Sequence, residues 1–164
     1  MRDPIQTLIC QPVVDRLGIE PRGVARTTAD VFVLAAITLS ALRVATLDAI
    51  TNPGLHVNQT MHVVGAAIVH AWMRFVIANG AAGRAGPLGT LHAGMRIMFL
   101  SLVAMDMVDL CLLPSWDAPV TPMGLTRSSL QLVEDLSAGI TLYLSIADEP
   151  PPPRRHGMPF GMTA

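Results

Sequence analysis

The chain has 164 residues and a formal net charge of −1, with 51% hydrophobic and 14% charged residues. Its length suits one domain, and its charged fraction is well below the roughly 25% of ordinary soluble domains. The balanced charge argues against nucleic acid as a partner, because nucleic-acid binding needs a basic surface. The two cysteines, Cys10 and Cys111, are too few for a disulfide framework and lack metal-ligand spacing.

The positions of the 13 prolines divide the chain into apolar stretches. Four proline-free segments, 28–50, 57–79, 90–113 and 127–148, are rich in Ala, Leu, Val, Ile and Met. Proline is disfavoured inside a helix, and each segment is close to the roughly 20 residues that cross a bilayer as a helix. The sequence therefore predicts an all-α fold, namely a four-helix transmembrane bundle.

Three regions follow from this pattern. Residues 1–26 are predicted to be a cytoplasmic polar arm, because they hold seven charged residues and no apolar core of a signal peptide. Residues 27–148 form the membrane domain. Residues 149–164 include four consecutive prolines and are expected to be an extended, disordered tail.

Local signals suggest where each helix begins and ends. Thr27 and Thr28 are expected to cap the first helix, and Asn79-Gly80 is expected to end the second. The third is predicted to end before Pro114, and Ser128-Ser129 are expected to cap the fourth.

The arginines alternate between the two sides of the predicted membrane. With the N-terminus in the cytoplasm, the outer loops hold only Arg127. This positive-inside bias predicts a multi-pass protein with both termini cytoplasmic, as in a bacterial inner membrane. The cytoplasmic segments hold the other seven arginines outside the helices, which are Arg2, Arg16, Arg22, Arg26, Arg84, Arg154 and Arg155.

A soluble all-α bundle is the structural alternative. The uncharged runs in the first, third and fourth segments are only 12, 9 and 12 residues long, shorter than the usual 18 or so of a spanning helix. Against this alternative, a soluble helix needs a wide polar face. The run 31–42 offers almost none.

Four charged residues of three predicted helices are expected at one depth. Counted from the cytoplasmic ends at about 1.5 Å per residue, all four lie some 20–24 Å into the membrane. Isolated charges in hydrocarbon are costly, so these side chains should point into the bundle and pair there. The layer has two interpretations, a proton or cation pathway and an ion-pair lock between helices. Its residues are Arg43, Asp106, Glu134 and Asp135.

A short pattern, H-A-x-M-R, occurs in the second and third segments. It places His70 and Arg74 on one helix face, and His92 and Arg96 on another. In antiparallel helices each histidine would lie level with the other helix's arginine. The pattern predicts an anion or lipid-headgroup cluster near the cytoplasmic side, with chance repetition as the alternative.

Three histidines, His62, His70 and His92, are candidate haem ligands. A bis-histidine haem needs two histidines at equal depth on facing helices. His70 and His92 differ by roughly 7–8 Å in depth by helix rise, and His62 lies near the outer end. The spacing therefore argues against haem.

Small residues predict close helix packing. Ala41, Ala45 and Ala49 repeat every four residues, and Ala36 and Ser40 have the same spacing. Such spacing permits close helix approach and favours oligomers.

No catalytic residue, cofactor or metal site is predicted. The expected function is a small non-enzymatic membrane protein, either a structural or assembly subunit or a small pore or transport component. Its expected partners are the lipid bilayer and other membrane-protein subunits or further copies of itself. A haem-carrying electron-transfer subunit is the functional alternative.

Overall fold

Four α-helices make up the part of the chain that the computed structural model describes, residues 20–46, 53–80, 86–112 and 121–145. These residues contain no strand, so the all-α, four-helix prediction is confirmed. The tail 149–164 and most of the polar arm lie outside the described residues. The helices are α1 (Pro21–Thr46), α2 (Pro53–Asn79), α3 (Pro87–Leu112) and α4 (Pro122–Leu144).

Every helix begins at a proline, several residues earlier than predicted. Proline is favoured at the first helical position, since its ring fixes a helical φ and the N–H it lacks would have no helical partner there. Treating prolines only as breaks between helices was therefore wrong. Residues 21–26, assigned to the polar arm, belong to α1.

Two predicted caps lie inside helices. Thr27 and Thr28 each donate a side-chain hydrogen bond to a carbonyl four residues earlier in α1. Ser128 and Ser129 lie within α4, whose N-cap is Thr121. The Thr121 hydroxyl accepts a hydrogen bond of 3.0 Å from the backbone N–H three residues later, as N-caps do.

The helices pack in the order α2, α1, α4, α3. Helix α1 packs against α2 and α4, and α3 packs against α4. Contacts between aromatic rings also link α3 to α1 and to α2. Phe32 of α1 meets Phe99 of α3 edge-to-face at 6.1 Å, and Trp72 of α2 lies 6.3 Å from the His92 ring of α3.

Small side chains line the central contact between α1 and α4. Ala25, Ala29 and Ala36 of α1 are fully buried, as are Ala138 and Thr141 of α4. Small residues let helix backbones approach closely. The Thr141 hydroxyl shares a hydrogen bond of 2.7 Å with that of Thr28, so the contact is polar as well as close.

The end of α2 meets the start of α1. Gly80 follows α2 with a φ of +54°, a left-handed conformation that glycine adopts without strain. A Cβ at this position would lie 3.2 Å from Nη2 of Arg22. The guanidinium is therefore close to the C-terminus of α2, where a positive charge is favourable.

Two of the described helices are long and apolar enough to cross a membrane. They are α1 and the segment His56–Asn79 of α2.

Candidate functional site

Six polar side chains from all four helices meet inside the bundle, and we call them the polar layer. The structure brings together the four residues that the sequence placed at one depth, and it adds a histidine and a glutamine. Glu134 and Asp135 are each only 5% exposed, although carboxylates are seldom buried without partners. The layer consists of Arg43 of α1, His62 of α2, Asp106 of α3, and Gln131, Glu134 and Asp135 of α4.

Polar side chains adjoin one another across the layer from α1 to α3. Nη2 of Arg43 donates to Oε1 of Gln131. The carboxyl group of Asp135 interacts with Gln131 on one side and with Asp106 of α3 on the other. Gln131 therefore lies between the arginine and a pair of carboxyl groups.

Glu134 faces the cationic side chains of the layer. Its Oε1 lies 3.2 Å from Nε2 of His62, which joins α4 to α2. The positive charge of Arg43 also acts on this carboxylate. Glu134 thus has a basic side chain on two sides, as a buried carboxylate requires.

Several polar atoms of the polar layer are buried without a hydrogen-bond partner among the described residues. Oδ2 of Asp106, Oδ2 of Asp135 and Oε2 of Glu134 are buried without a hydrogen-bond partner among the described residues. The same holds for Oγ of Ser40 and Oε1 of Gln59, whose residues are 5% and 6% exposed. Two nitrogens of the layer, Nε of Arg43 and Nε2 of His62, are likewise buried without a hydrogen-bond partner among the described residues. Buried polar groups are nearly always hydrogen-bonded, so the layer has unsatisfied acceptors and unsatisfied nitrogens side by side.

His70 and Arg74 both reach Asp30 of α1. Nε2 of His70 lies 3.2 Å from Oδ1 of Asp30, and Nη1 of Arg74 lies 3.8 Å from the same atom. Asp30 is exposed, so this is a surface ion-pair cluster between α1 and α2. Exposed pairs of this kind contribute about 0–1 kcal/mol to stability.

His92 and Arg96 contact the C-terminal turn of α4. His92 is buried with Nε2 3.1 Å from the carbonyl oxygen of Leu142, and the guanidinium of Arg96 lies 3.9 Å from the ring centre of Tyr143. The two H-A-x-M-R segments therefore have different partners. The structure does not gather His70, Arg74, His92 and Arg96 into one pocket.

The histidines considered as haem ligands already have neighbours. His62, His70 and His92 each place Nε2 3.1–3.2 Å from a protein oxygen. Iron would have to displace these contacts. Among the described residues, no group of three or more His, Cys, Asp or Glu side chains is arranged to hold a metal ion.

The sequence contains signals for the two residues that were missed. Gln131 precedes Glu134 and Asp135 by three and four positions, and this spacing places it on their helix face. His62 was placed near the outer end, which is also the half of the bundle assigned to the charged layer. Counting the depth of His62 along its helix and comparing it with that of the charged layer would have placed His62 in the layer.

Comparison of the chain with models of known protein families, with curated proteins and with solved structures found no match. Function is therefore inferred from the described geometry.

Proposed function

We propose that the chain is a non-enzymatic multi-pass membrane protein that serves as a structural subunit of a membrane assembly. The supporting observation is that large apolar side chains lie on the outside of the bundle while carboxylates lie inside it. Leu34, Ile68 and Ile97 are each 66% exposed, whereas Glu134 and Asp135 are each 5% exposed. In water, buried carboxylates and bare apolar surface are both unfavourable. In lipid, apolar side chains belong outside and charged ones inside the bundle.

The exposed apolar surface involves all four helices. A soluble bundle would need a wide polar face on each helix, and its largest apolar patch would rarely exceed a few hundred Å². Besides the residues above, the exposed large apolar side chains include Ile37 of α1, Val57 and Met61 of α2, Met105 and Met107 of α3, and Leu125 and Val133 of α4.

The helix lengths also suit a bilayer. Helices α1, α2 and α3 have 26, 27 and 26 residues, and α4 has 23. At about 1.5 Å per residue, each exceeds the roughly 30 Å of the hydrocarbon core. The arginine distribution supports four crossings with both termini in the cytoplasm, as in a bacterial inner membrane.

A structural role fits the connections and the polar layer. The segments 47–52, 81–85 and 113–120 are too short to hold a catalytic domain between helices. Arg43, His62 and Asp106 each interact with α4, so the layer joins all four helices into one unit. Such a unit offers its apolar exterior to lipid, to other subunits or to a second copy.

Membrane extraction and topology test this proposal together. The expressed protein should resist carbonate extraction. Reporters fused after Ile50, Arg84, Asp117 and Ala164 should report outside, inside, outside and inside. Release into the soluble fraction would overturn the membrane proposal and favour the soluble bundle. A membrane-bound protein with another reporter pattern would overturn the four-crossing topology.

A structural subunit should also be found in an assembly. The protein, extracted in mild detergent, is expected to elute with a mass above that of one chain and its micelle, by light scattering. Chemical crosslinking before extraction should give the same assembly. A monomer in both measurements would contradict the subunit role while leaving the membrane location intact.

A transport component is the second candidate, favoured by the buried carboxyl groups of the polar layer, three of whose oxygens have no hydrogen-bond partner among the described residues. Purified protein in liposomes containing a pH-sensitive dye would then dissipate a proton gradient faster than empty liposomes. Asp135→Asn should abolish that excess flux, whereas Asp109→Asn should retain it, because Asp109 lies on the exposed face of α3, one turn after Asp106. A structural subunit predicts no excess flux in any of these proteins.

The haem alternative is tested by the absorption spectrum of the purified protein. Protein expressed with supplemented haem would show a Soret band if it carried the cofactor. A colourless preparation would exclude this function.

A further inference from the structure

Three arginines line the contact between α1 and α2 at one end of the bundle, and we call Arg22, Arg26 and Arg74 the arginine seam. Arg22, Arg26 and Asp30 follow one another at four-residue spacing, so they share a face of α1. Nη2 of Arg22 lies beside Gly80 at the end of α2, and Asp30 contacts Arg74 of α2. Because the residues before and after Arg26 on this face both reach α2, Arg26 lies on the same side of α1.

Positive charge exceeds negative charge along the arginine seam. Oδ1 of Asp30 lies 3.2 Å from Nε2 of His70 and 3.8 Å from Nη1 of Arg74, so two basic side chains share this carboxylate. Arg26 is exposed and has no hydrogen bond or ion pair with another described residue. Glu20 precedes α1, and even with it the three arginines outnumber the carboxylates. The seam therefore has positive charge that a further anion can approach.

The arginine seam lies near one end of the two helices that are apolar enough to cross a membrane. Arg26 comes five residues after the start of α1, and Arg74 comes five residues before the end of α2. At ~1.5 Å per residue, both lie about 7 Å from this end. Both helices are longer than the hydrocarbon core, so this level is where the core meets the lipid headgroups.

Apolar surface continues from the arginine seam toward the middle of the bundle. Ile37 lies eleven residues after Arg26, and Val63 lies eleven residues before Arg74. Eleven residues are close to three turns, so each apolar residue is on the same helix face as its arginine. Ile37 is 50% exposed and Val63 is 36% exposed. Three turns rise about 16 Å, roughly half of the hydrocarbon core.

This order of groups matches one molecule of phospholipid. The planar guanidinium group binds phosphate oxygens in pairs. A free phosphate would use the cations alone, whereas a phospholipid would also cover the apolar surface above them. Basic side chains at the cytoplasmic ends of transmembrane helices attract anionic headgroups. Charge and apolar surface together therefore favour a lipid with a net negative headgroup.

From this geometry we infer that the arginine seam binds the headgroup phosphate of an anionic phospholipid whose acyl chains lie over Ile37 and Val63. The inference rests on the membrane location proposed above. It adds a specific site to that location and identifies the class of lipid that the site selects.

Native mass spectrometry of the protein purified in mild detergent tests the inference. The protein is titrated separately with phosphatidylglycerol, which is anionic, and with phosphatidylcholine, which carries no net charge. Phosphatidylglycerol should bind at lower concentration than phosphatidylcholine. Inorganic phosphate at the same concentrations should not displace it, because the acyl chains contribute to binding.

Substitutions locate the binding site. Arg26→Gln and Arg74→Gln should each weaken the binding of phosphatidylglycerol roughly fivefold, the contribution of one basic side chain near an anionic surface. Phosphatidylcholine should bind these variants as it binds the wild type. Arg127→Gln is the matched control, because it removes the same charge from the start of α4, at the other end of the bundle. Arg26 has no partner among the described residues, so its substitution leaves the fold intact, which circular dichroism verifies.

Three results would overturn the inference. The first is equal binding of the two lipids by the wild-type protein. The second is an equal loss in Arg127→Gln and in the two seam variants. The third is displacement of the lipid by inorganic phosphate, which would make the seam a site for the free anion. Each can occur in a protein that resists carbonate extraction, whereas release into the soluble fraction would overturn the membrane location itself.

Discussion

Nε2 of His62 and Oε1 of Glu134 lie 3.2 Å apart and join α2 to α4, two helices with little other contact. The remaining packing of α2 is mainly against α1. This ion pair therefore fixes α2 to the far side of the bundle. It contributes to the stability of the four-helix arrangement through a single contact.

Replacing His62 should destabilise the bundle. His62→Leu removes the closest partner of a carboxylate that is 5% exposed, and breaking a buried pair from one side costs about 3–5 kcal/mol. Because His62 is itself partly exposed, we expect the lower end of that range. Unfolding in detergent, followed by circular dichroism during a denaturant titration, measures the loss.

Two further variants make this measurement specific. Met61→Leu changes an exposed neighbour and should leave the unfolding free energy unchanged. His62→Leu combined with Glu134→Leu should recover most of the loss, because an apolar pair replaces an unpaired charge. A double variant as unstable as the sum of its single variants would contradict the pairing.

The buried face of α1 should reject larger side chains. Ala29 is fully buried in the hydrophobic core, whereas Ala41 is on the exposed face of α1. Ala29→Leu is expected to lower the unfolding free energy by about 1–3 kcal/mol through overpacking. Thermal unfolding in detergent should show no loss of stability for Ala41→Leu. If both substitutions lowered the stability equally, the packing of α1 described above would be contradicted.

The glycine after α2 should tolerate no side chain. Gly80→Ala is expected to cost about 1–2 kcal/mol, the penalty for a left-handed residue with a Cβ, and its methyl would also crowd Arg22. Gly94→Ala in α3 is the matched control. It has open space around its Cβ and should stabilise the helix by about 0.5–1 kcal/mol. If the denaturant midpoints of the Gly80→Ala and Gly94→Ala variants moved in the same direction, the special role of the glycine after α2 would be refuted.

Gln131 should be required for stability although it is uncharged. Leucine has a similar size, but Gln131→Leu leaves Arg43 without its hydrogen-bond partner. A hydrogen bond to a charged group contributes about 1.5–3 kcal/mol, and the unfolding free energy is expected to fall by that amount. Ser129→Ala, on the exposed face of α4, should have almost no effect on the same denaturation curve.

The number and approximate position of the helices could be predicted because long apolar runs are a strong signal. Their starts could not, because Pro21 and Pro122 have two opposite meanings. A proline prevents a helix from continuing through it and also favours a helix that begins at it. Only the rest of the first turn, with its cap and packing, distinguishes the two.

Depth along a helix could be counted from the sequence, but the face toward each neighbour could not. Arg43 and Asp135 were placed at one level, and the structure brings them to the same glutamine. His70 and Arg96 were also placed at one level, yet they contact different helices. Similarly, Ala41 and Ala45 had the spacing of a packing face but are exposed, because the buried stripe of α1 is rotated from them.

Helix α4 lies between α1 and α3 and carries three of the six residues of the polar layer. It is also the last of the four helices to leave the ribosome. Until α4 is inserted, Arg43, His62 and Asp106 have no completed layer to join. In the membrane location proposed above, a nascent chain stopped before α4 would carry unneutralised side chains in hydrocarbon, which is costly. The arrival of α4 would then complete the polar layer and remove that cost.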